Sequence, residues 1–341
     1  MKILYAYQLT GNGHAARAQE IIPILKEFAD VDILASGSQS QLKLDSTIKY
    51  KFKGISLFYN KSGGISNFKT LFKNNYALFI KNCFQVSLNN YDLVINDFEP
   101  VTAWAAFFNN TPIISLSHQA SLWFNETPKP DKIDFLSYLV LKCYAPIKIK
   151  YGFHFKSYHK NIFKPIIRSK IKNLEPKKGK KYLVYLPSFS DDKIIDLLNG
   201  IDKKFIVFSK NTKVKTIKSN CKFYPINETV FLKTLAKCKG VICNAGFELP
   251  TEALYLNKQL LVTPIKNQLE QFYNAKSLED VGVTVAYKLN KKGIKNWMKT
   301  KSQIAIEFEE NPEEIIKNIL FEHVFKKQLK TNSVYASLIS D

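Results

Sequence analysis

Arginine is almost missing from this chain. Lysine and arginine together supply 50 residues, yet only Arg17 and Arg168 are arginine. The formal net charge is nevertheless +21, and a field of that sign attracts nucleic acid, membrane surfaces and phosphorylated substrates. Bidentate recognition of guanine or phosphate usually relies on the arginine fork. We therefore expect that nucleic acid is not the partner, although a solvated lysine-rich surface explains the charge equally well.

Cysteine and histidine are too few and too scattered for a disulfide framework or a metal centre. The five cysteines are odd in number and include no CxxC pair, which is typical of reduced thiols in a cytosolic protein. The five histidines show no metal-ligand spacing. No apolar run approaches the ~18 residues of a membrane-spanning helix. We expect a cytoplasmic protein, with peripheral binding to the inner face of the membrane as the alternative to free diffusion.

Internal repeats and low-complexity segments are absent, and a hydrophobic content of 45% excludes wholesale disorder. Short apolar runs alternate instead with helix-like segments, over residues 2–34 and again from residue 182 onward. Such alternation predicts parallel sheets with crossover helices. Because 341 residues are long for one core, we predict an α/β fold of two Rossmann-like domains facing across a cleft.

A basic connector with proline and glycine, residues 164–181, separates the two alternating halves. The predicted domains are residues 1–165 and 182–310, joined by a linker at 166–181. The remaining residues, 311–341, begin with a predicted helix that has Asn311 as its cap and Pro312 in its first turn. We expect this helix to pack back on the N-terminal domain.

Glycine and polar residues follow the first predicted strand. Gly11, Asn12 and Gly13 form a turn in which the backbone can approach a ligand closely, and His14 begins the next helix. An imidazole at that position faces the cleft and can act as a general base, with a capping or packing role as the alternative. The turn lacks GxGxxG spacing, which argues against a dinucleotide cofactor.

Two other candidates in the N-terminal half lie at the ends of predicted strands, and a third lies in the first helix. Asp97 follows the apolar run LVI and can orient His14 as in a catalytic triad, unless Asn96 and Asp97 merely form a turn. His118 also ends a strand, at the edge where ligands bind parallel sheets. Arg17 lies one helical turn after His14 and suits a carboxylate or phosphate, with a surface salt bridge as the alternative.

The C-terminal half repeats strand, turn and helix twice within residues 241–275, with acids and amides at the turns. Glu252, near a helix start, can accept the two hydroxyls of a ribose. At the next turn, Glu270 and Gln271 can bind sugar hydroxyls. The alternative without a ligand is that Glu248 or Glu252 interacts favourably with the helix dipole. Glu270 and Gln271 would then belong to the start of an ordinary amphipathic helix.

Together these residues resemble the signature of GT-B glycosyltransferases in the UDP-glycosyltransferase and MurG-like superfamily. That signature has a glycine turn, a glutamate six positions later, a proline, an acid–glutamine pair and then Asn-Ala. The corresponding residues here are Gly246, Glu252, Pro264, Glu270, Gln271, Asn274 and Ala275, and Gly11, Gly13 and His14 resemble the acceptor-side loop. The stretches NDFEP and AGFE are most similar to a poorly characterised bacterial and archaeal subgroup.

The resemblance implies an inverting, metal-independent transferase that needs no cofactor. It would move a sugar from a nucleotide-sugar, by analogy UDP-linked, to a hydroxyl of a sugar, lipid or cell-envelope glycan acceptor. The N-terminal domain would bind the acceptor, with His14 as the base and Asp97 as its partner. Donor binding is implied for Ser188, Ser190, Asn244, Gly246, Phe247, Glu248, Glu252, Glu270 and Gln271, and the acceptor side for Gly11, Asn12, Gly13, Arg17 and His118.

The sequence departs from the family pattern at Ala245, which replaces a glycine, and at Leu249, which replaces a hydroxyl residue. Phosphate contacts would then come from backbone N–H groups and from Ser188 or Ser190. Two other functions stay open: a nucleotide-sugar 2-epimerase of the same fold, and a basic nucleic-acid or membrane-binding protein without catalysis. The aromatic, lysine-rich segment 123–163 would either rest on an anionic membrane or form a buried helix with a basic outer face.

Overall fold

Two seven-stranded sheets form the framework of the protein. The computed structural model describes residues 1–9, 11–37, 46–56, 58, 70, 72–300 and 304–326. Both sheets are almost entirely parallel, with crossover helices between most pairs of successive strands. The predicted α/β fold with two Rossmann-like domains is confirmed.

The first sheet orders its strands so that the winding reverses at its centre. Its strands are β1 (Lys2–Gln8), β2 (Asp30–Ser36), β3 (Tyr50–Phe52), β4 (Leu93–Asp97), β5 (Ile114–Ser117), β6 (Ile149–Phe153) and β7 (Ile162–Phe163). They lie in the order β3-β2-β1-β4-β5-β6-β7, and all neighbours are parallel. Since β1 and β4 are neighbours wound in opposite directions, their carboxyl ends frame a crevice.

Helices cover both faces of this sheet. They are α1 (Asn12–Phe28), α2 (Tyr76–Gln85), α3 (Pro100–Asn109), α4 (His118–Ser121), α5 (Phe135–Tyr144) and α6 (Ser169–Lys172). Alternate residues of β1 point to opposite faces. Ile3 and Tyr5 pack with Ile21 of α1, and Leu4 packs with Phe79 of α2 on the other side. Of the aromatic stretch 66–90, residues 66–69 and 71 lie outside the described residues.

The second sheet is the C-terminal counterpart. Its strands are β8 (Tyr182–Tyr185), β9 (Phe205–Phe208), β10 (Thr216–Lys218), β11 (Cys221–Tyr224), β12 (Gly240–Asn244), β13 (Gln259–Thr263) and β14 (Thr284–Val285). They lie in the order β10-β11-β9-β8-β12-β13-β14, and β10 is antiparallel to β11. Because β12 lies between β8 and β13, the turns after these three strands open side by side.

The helices of the C-terminal half are α7 (Asp191–Leu198), α8 (Glu228–Lys237), α9 (Glu248–Tyr255), α10 (Leu269–Asp280) and α11 (Lys291–Trp297). The chain then returns to the first domain, where α12 (Pro312–Leu320) and a π-helical turn (Phe321–Phe325) follow. Helix α12 contacts α1, and His323 Nε2 lies 2.9 Å from the hydroxyl of Tyr151. Residues 327–341 lie outside the described part. No helix among the described residues is long and apolar enough to cross a bilayer.

Candidate functional site

The carboxyl ends of both sheets face the junction between the domains. In the first sheet, β1 leads to α1, β4 ends in Asp97 and β5 leads to His118. In the second, β12 and β13 lead to α9 and α10. Contacts between Arg17 and Glu248, and between His118 and Asn274, join the two halves directly. Residues predicted separately from each half are therefore brought to one place.

His14 and Asp97 form a hydrogen-bonded pair at this junction. His14 Nδ1 lies 2.9 Å from Asp97 Oδ1, and the aspartate is fully buried. Burial by itself raises the pKa of Asp97, but the charges of Arg17 and His14 outweigh that effect and hold it below its ordinary value of 3.8. An ionised carboxylate only accepts hydrogen bonds. Nδ1 therefore carries a proton, and in the neutral form of the imidazole Nε2 has a lone pair that can act as a base.

Arg17 holds Asp97 in a fixed orientation. Its Nε donates to Oδ2 and its Nη2 to Oδ1, each at 2.9 Å, which is the bidentate fork geometry. Its Nη1 donates to Glu248 Oε1 at 2.8 Å across the junction. Burial lowers the pKa of the guanidinium, but Asp97 and Glu248 raise it above its ordinary value. At 6% exposure Arg17 is not a surface ion pair.

The loop after β4 explains how Asp97 is presented. Phe98 has a φ of 54°, a left-handed conformation that costs a non-glycine residue roughly 1–3 kcal/mol. Its ring stacks against His14 at 6.2 Å and against Tyr144 at 4.8 Å. Glu99 is fully buried, and its carboxylate accepts two backbone N–H bonds of 2.7 Å at the start of α3. In the NDFEP stretch, the carboxylate of Glu99 therefore caps a helix, and that of Asp97 faces the junction between the domains.

Glycine at position 13 allows α9 to approach α1. A Cβ on Gly13 would lie 3.0 Å from Glu248 Cγ, so a larger residue would displace the glutamate. Burial raises the pKa of Glu248 to about 7, and the charge of Arg17 opposes that shift. Gly11 is the N-cap residue of α1, and Asn12 is its first residue.

Glu252 is held by the second arginine of the chain. Arg168 Nε donates to Glu252 Oε1 at 2.6 Å, and its Nη1 donates to Glu228 at 3.1 Å. Burial raises the pKa of Glu252, while the charge of Arg168 opposes that shift. Sequence reasoning did not place Arg168 in the site. The signal that could have found it was rarity, because both arginines bind glutamates of α9.

His118 is buried where the two domains meet. Its Nε2 lies 2.7 Å from Asn274 Oδ1, and its Nδ1 lies 2.9 Å from the carbonyl oxygen of Phe153. The ring of Phe247 stacks on the imidazole with a centroid distance of 4.0 Å. Burial lowers the pKa of His118 to about 3, and its hydrogen bonds to Phe153 and Asn274 oppose that shift. This predicted acceptor-side residue joins the domains.

The other predicted phosphate-side residues lie at the ends of β8 and β12. Ser188 Oγ donates to Asn244 Oδ1 at 3.0 Å, which ties the two turns together. Ser190 caps α7 by accepting from the backbone of Lys193 at 3.3 Å. Apart from Gly246 and its two chain neighbours, no residue that the structure describes has an atom within 4 Å of the place where a Cβ on Gly246 would be. The turn before α9 therefore leaves room beside its backbone.

Two predicted sugar-side residues begin α10. Glu270 Oε1 accepts from Gln119 Nε2 at 3.2 Å, and burial raises the pKa of this glutamate. Gln271 Oε1 accepts from the backbone N–H of Ile265 at 2.9 Å, which fixes the loop after β13. Gln271 is thus turned toward the backbone in this structure. Among the residues that the structure describes, no group of three or more His, Cys, Asp or Glu side chains could hold a metal ion.

Solved structures with this architecture include several glycosyltransferases. The glycosyltransferase SnogD from Streptomyces nogalater is 13% identical with a TM-score of 0.52, over 88% of this chain and 91% of that chain. Phytolacca americana UGT2, complexed with UDP-2fluoro-glucose and pterostilbene, is 14% identical with a TM-score of 0.56, over 87% of this chain and 89% of that chain. A UDP-glucosyltransferase from Polygonum tinctorium is 12% identical with a TM-score of 0.56, over 87% and 88%.

At these identities the structural likeness shows the GT-B fold. The chain has no significant match among curated protein sequences. The profile of the family described as "Glycosyl transferase family 1" matches residues 1–301, which is most of the chain. The protein therefore belongs to glycosyl transferase family 1 and is a glycosyltransferase with the GT-B fold.

Proposed function

We propose that the protein moves a sugar from a UDP-sugar to an acceptor hydroxyl and inverts the configuration at the anomeric carbon. The His14–Asp97 pair is the observation that carries this proposal, because it is a buried, oriented base facing the helices of the other domain. A UDP-linked donor is supported by the complex of one relative with UDP-2fluoro-glucose and by the UDP-glucosyltransferase activity of another.

In the proposed reaction, the acceptor hydroxyl gives its proton to His14 Nε2 as its oxygen attacks the anomeric carbon. The bond between that carbon and the diphosphate oxygen breaks, and the nucleotide leaves with the electron pair. Attack and departure occur on opposite faces of the sugar, which inverts the anomeric centre. Asp97 stabilises the imidazolium that forms. Arg17 keeps Asp97 ionised and correctly turned throughout.

On the donor side, we assign the diphosphate to the amino terminus of α9, where backbone N–H groups and the helix dipole favour an anion. These groups and the lysine-rich field offset the leaving-group charge, so the proposed reaction requires no metal and no cofactor. Glu248 stands at the same terminus, and its ion pair with Arg17 keeps its charge from opposing the phosphates. Glu252 holds the ribose with the carboxylate oxygen that does not contact Arg168.

The remaining assignments follow the division of the chain. Glu270 and Gln271 contact the donor sugar, with Ser188 and Ser190 near the phosphates. The acceptor, which is a sugar, a lipid or a cell-envelope glycan, binds beside the turn at 11–13. We propose a cytoplasmic location for this reaction, where nucleotide-sugars are available to the cleft.

Paired substitutions test the two halves of the proposal. His14→Ala removes the base, so kcat should fall on the order of a thousand-fold while the stabilisation of the protein by UDP in a thermal-shift assay stays the same. Glu252→Gln keeps the volume and one hydrogen bond to Arg168, and it should weaken UDP binding instead. Retained turnover in His14→Ala would contradict the base assignment. An unchanged anomeric configuration in the product would contradict inversion, and conversion of the UDP-sugar without acceptor would indicate an epimerase.

A further inference from the structure

A groove on the C-terminal domain, which we call the basic groove, is lined by lysines and apolar side chains. Its volume is about 1100 Å³, which is enough for a small-molecule ligand. Lys239 and Lys258 line it and directly precede β12 and β13, so it lies at the amino ends of these strands. The proposed donor site lies at their carboxyl ends, roughly 15 Å away along strands of five residues.

Both chain segments that connect the two domains border the basic groove. Residues 176–178 of the linker line one side, and several described residues of the segment 298–308, on the return from α11 to α12, line another. The backbone N–H of Glu309 donates to the carbonyl oxygen of Pro165 at 2.9 Å, so the two segments lie side by side. A ligand in the groove would therefore contact both connections at once.

Lysine supplies every charged side chain that lines the groove in the described part of the chain. There are five, and none of them pairs with a carboxylate of the described residues. They are Lys177, Lys178, Lys239, Lys258 and Lys299. Glu307, in the return segment, pairs instead with Lys164 at 2.7 Å. A concave surface lined by one sign of charge concentrates the field, so this groove attracts anions.

Lys258 distinguishes the basic groove from an ordinary lysine-rich surface, because this residue is only 4% exposed. Its ammonium donates to the carbonyl oxygens of Lys177 at 2.9 Å and Ala236 at 2.7 Å. An ammonium has three N–H donors, and the third has no acceptor among the residues that the structure describes. Burial lowers the pKa of this ammonium, although Cys238 opposes that shift. An anion in the groove would accept the third hydrogen bond and compensate the charge.

Apolar side chains form much of the remaining surface of the groove. Leu254, Leu256 and Leu260 are buried beneath it, and Ile306 and Phe308 of the return segment are half-buried. Phe308 packs edge-on against the ring of Tyr255 at 5.2 Å, which places the return segment against the end of α9. An inorganic ion would leave this apolar surface in contact with water, whereas an apolar group attached to the anion would cover it.

We propose that the basic groove is a second ligand site, which binds a phosphate monoester that carries an apolar group. A phosphate monoester has close to two negative charges and three acceptor oxygens, which suits several lysines without any acid nearby. Its phosphate meets Lys258 and the lysines around it, and its apolar group lies along the return segment. The site does not depend on the proposed reaction, since none of its residues is assigned to the donor or the acceptor.

Isothermal titration calorimetry of the full chain with octyl phosphate tests the proposal. Inorganic phosphate and octanol each carry one half of the chemistry of this probe, so each should bind at least about ten-fold more weakly. Lys239→Gln with Lys299→Gln removes two exposed charges of the groove and should raise the Kd for octyl phosphate about ten-fold without changing the thermal midpoint. Lys258→Met should abolish measurable binding, and the exposed pair keeps the test valid if this buried change prevents folding.

The chain offers a matched control for the loss of two charges. Lys213 and Lys215 are exposed and precede β10, outside the groove. Lys213→Gln with Lys215→Gln should keep the wild-type Kd. An equal loss of affinity in this control would mean that net charge alone attracts the probe, and it would overturn the proposal. So would a wild type that does not bind octyl phosphate, an unchanged Kd in Lys239→Gln with Lys299→Gln, or inorganic phosphate that binds as tightly as octyl phosphate.

Discussion

Arg17 and Arg168 bind the same helix, α9, but they connect it to different parts of the molecule. Arg17 reaches Glu248 from α1, and its other N–H groups hold Asp97 beside His14. Arg168 lies between β7 and α6, and both of its carboxylate partners belong to C-terminal helices, α8 and α9. The contacts of Arg17, which we call the Arg17 junction, therefore include the partner of the proposed base. The contacts of Arg168, the Arg168 junction, include the proposed ribose ligand.

What the two arginines share is a role that lysine cannot fill. Both side chains are buried, at 6% and 9% exposure, and each holds two carboxylates at once. A lysine ammonium is a point charge that cannot fix two carboxylates in a planar fork. Removing one partner of a buried ion pair typically costs roughly 3–5 kcal/mol, because it leaves a charge uncompensated. Conservative replacements that keep the charge should therefore separate geometry from charge at the two junctions.

Of the two arginine replacements, Arg17→Lys should give the larger effect, a fall in kcat of about a hundred-fold. The lysine keeps Asp97 ionised but loses the bidentate grip, so Asp97 no longer fixes the imidazole of His14. The donor KM should change by less than about three-fold, because the lysine keeps a positive charge beside Glu248. Steady-state kinetics with varied UDP-sugar measures both constants. Lys26→Arg, an exposed change in the same helix, is the control, and a kcat like that of the wild type in Arg17→Lys would contradict the role of the fork.

Arg168→Lys should have a smaller effect, and this effect should be on the donor KM and not on kcat. Glu252 loses its oriented partner on the donor side, so the donor KM should rise about ten-fold while kcat stays within about three-fold of the wild type. The same kinetic series and a UDP thermal-shift titration check this result. Lys170→Arg supplies the control, since Lys170 is exposed and also pairs with Glu228 at 3.2 Å. If kcat falls as it does in Arg17→Lys, the two junctions do not have separate roles.

Residues at strand ends were the part of the site that could be predicted from the sequence. Adjacent parallel strands bring their carboxyl ends together, so His14 after β1 and Asp97 at the end of β4 had to be neighbours, and they lie 2.9 Å apart. The strand-turn-helix alternation likewise predicted both sheets. Elements of two or three residues, such as β7 and β10, have too few side chains for a periodic pattern and were missed.

Contacts between the domains were beyond sequence reasoning. Arg168 and Glu252 are 84 positions apart and meet only because the linker folds against α9. The left-handed backbone of Phe98 was equally hidden, since phenylalanine does not favour that conformation. Its packing on Tyr144 and His14 and the hydrogen bonds between Asn96 and Glu99 hold the loop in place. The sequence left open whether α5 is exposed, because an apolar helix pattern normally predicts burial. The structure exposes Phe135 and Leu139 on this helix.

The contact between Arg17 and Glu248 can be tested through the pH dependence of stability, because Glu248 is titratable. Burial raises its pKa from 4.5 to about 7 in the folded protein. The folded state then holds the proton more tightly than the unfolded state does. This contribution to stability is complete below the unfolded pKa of 4.5 and is lost as the pH rises through about 7. The free energy of unfolding should therefore decline across that window because of this one residue.

Glu248→Gln should give the smallest effect, a change in the pH dependence of stability. Glutamine cannot titrate, so the thermal midpoint of the variant should fall less than that of the wild type between about pH 5 and about pH 8, by about 3–6 °C. Thermal unfolding at both pH values measures the difference. Glu313→Gln, on the exposed side of α12, should reproduce the wild-type slope. Identical slopes in wild type and Glu248→Gln would mean that Glu248 is ionised throughout, with Arg17 outweighing its burial.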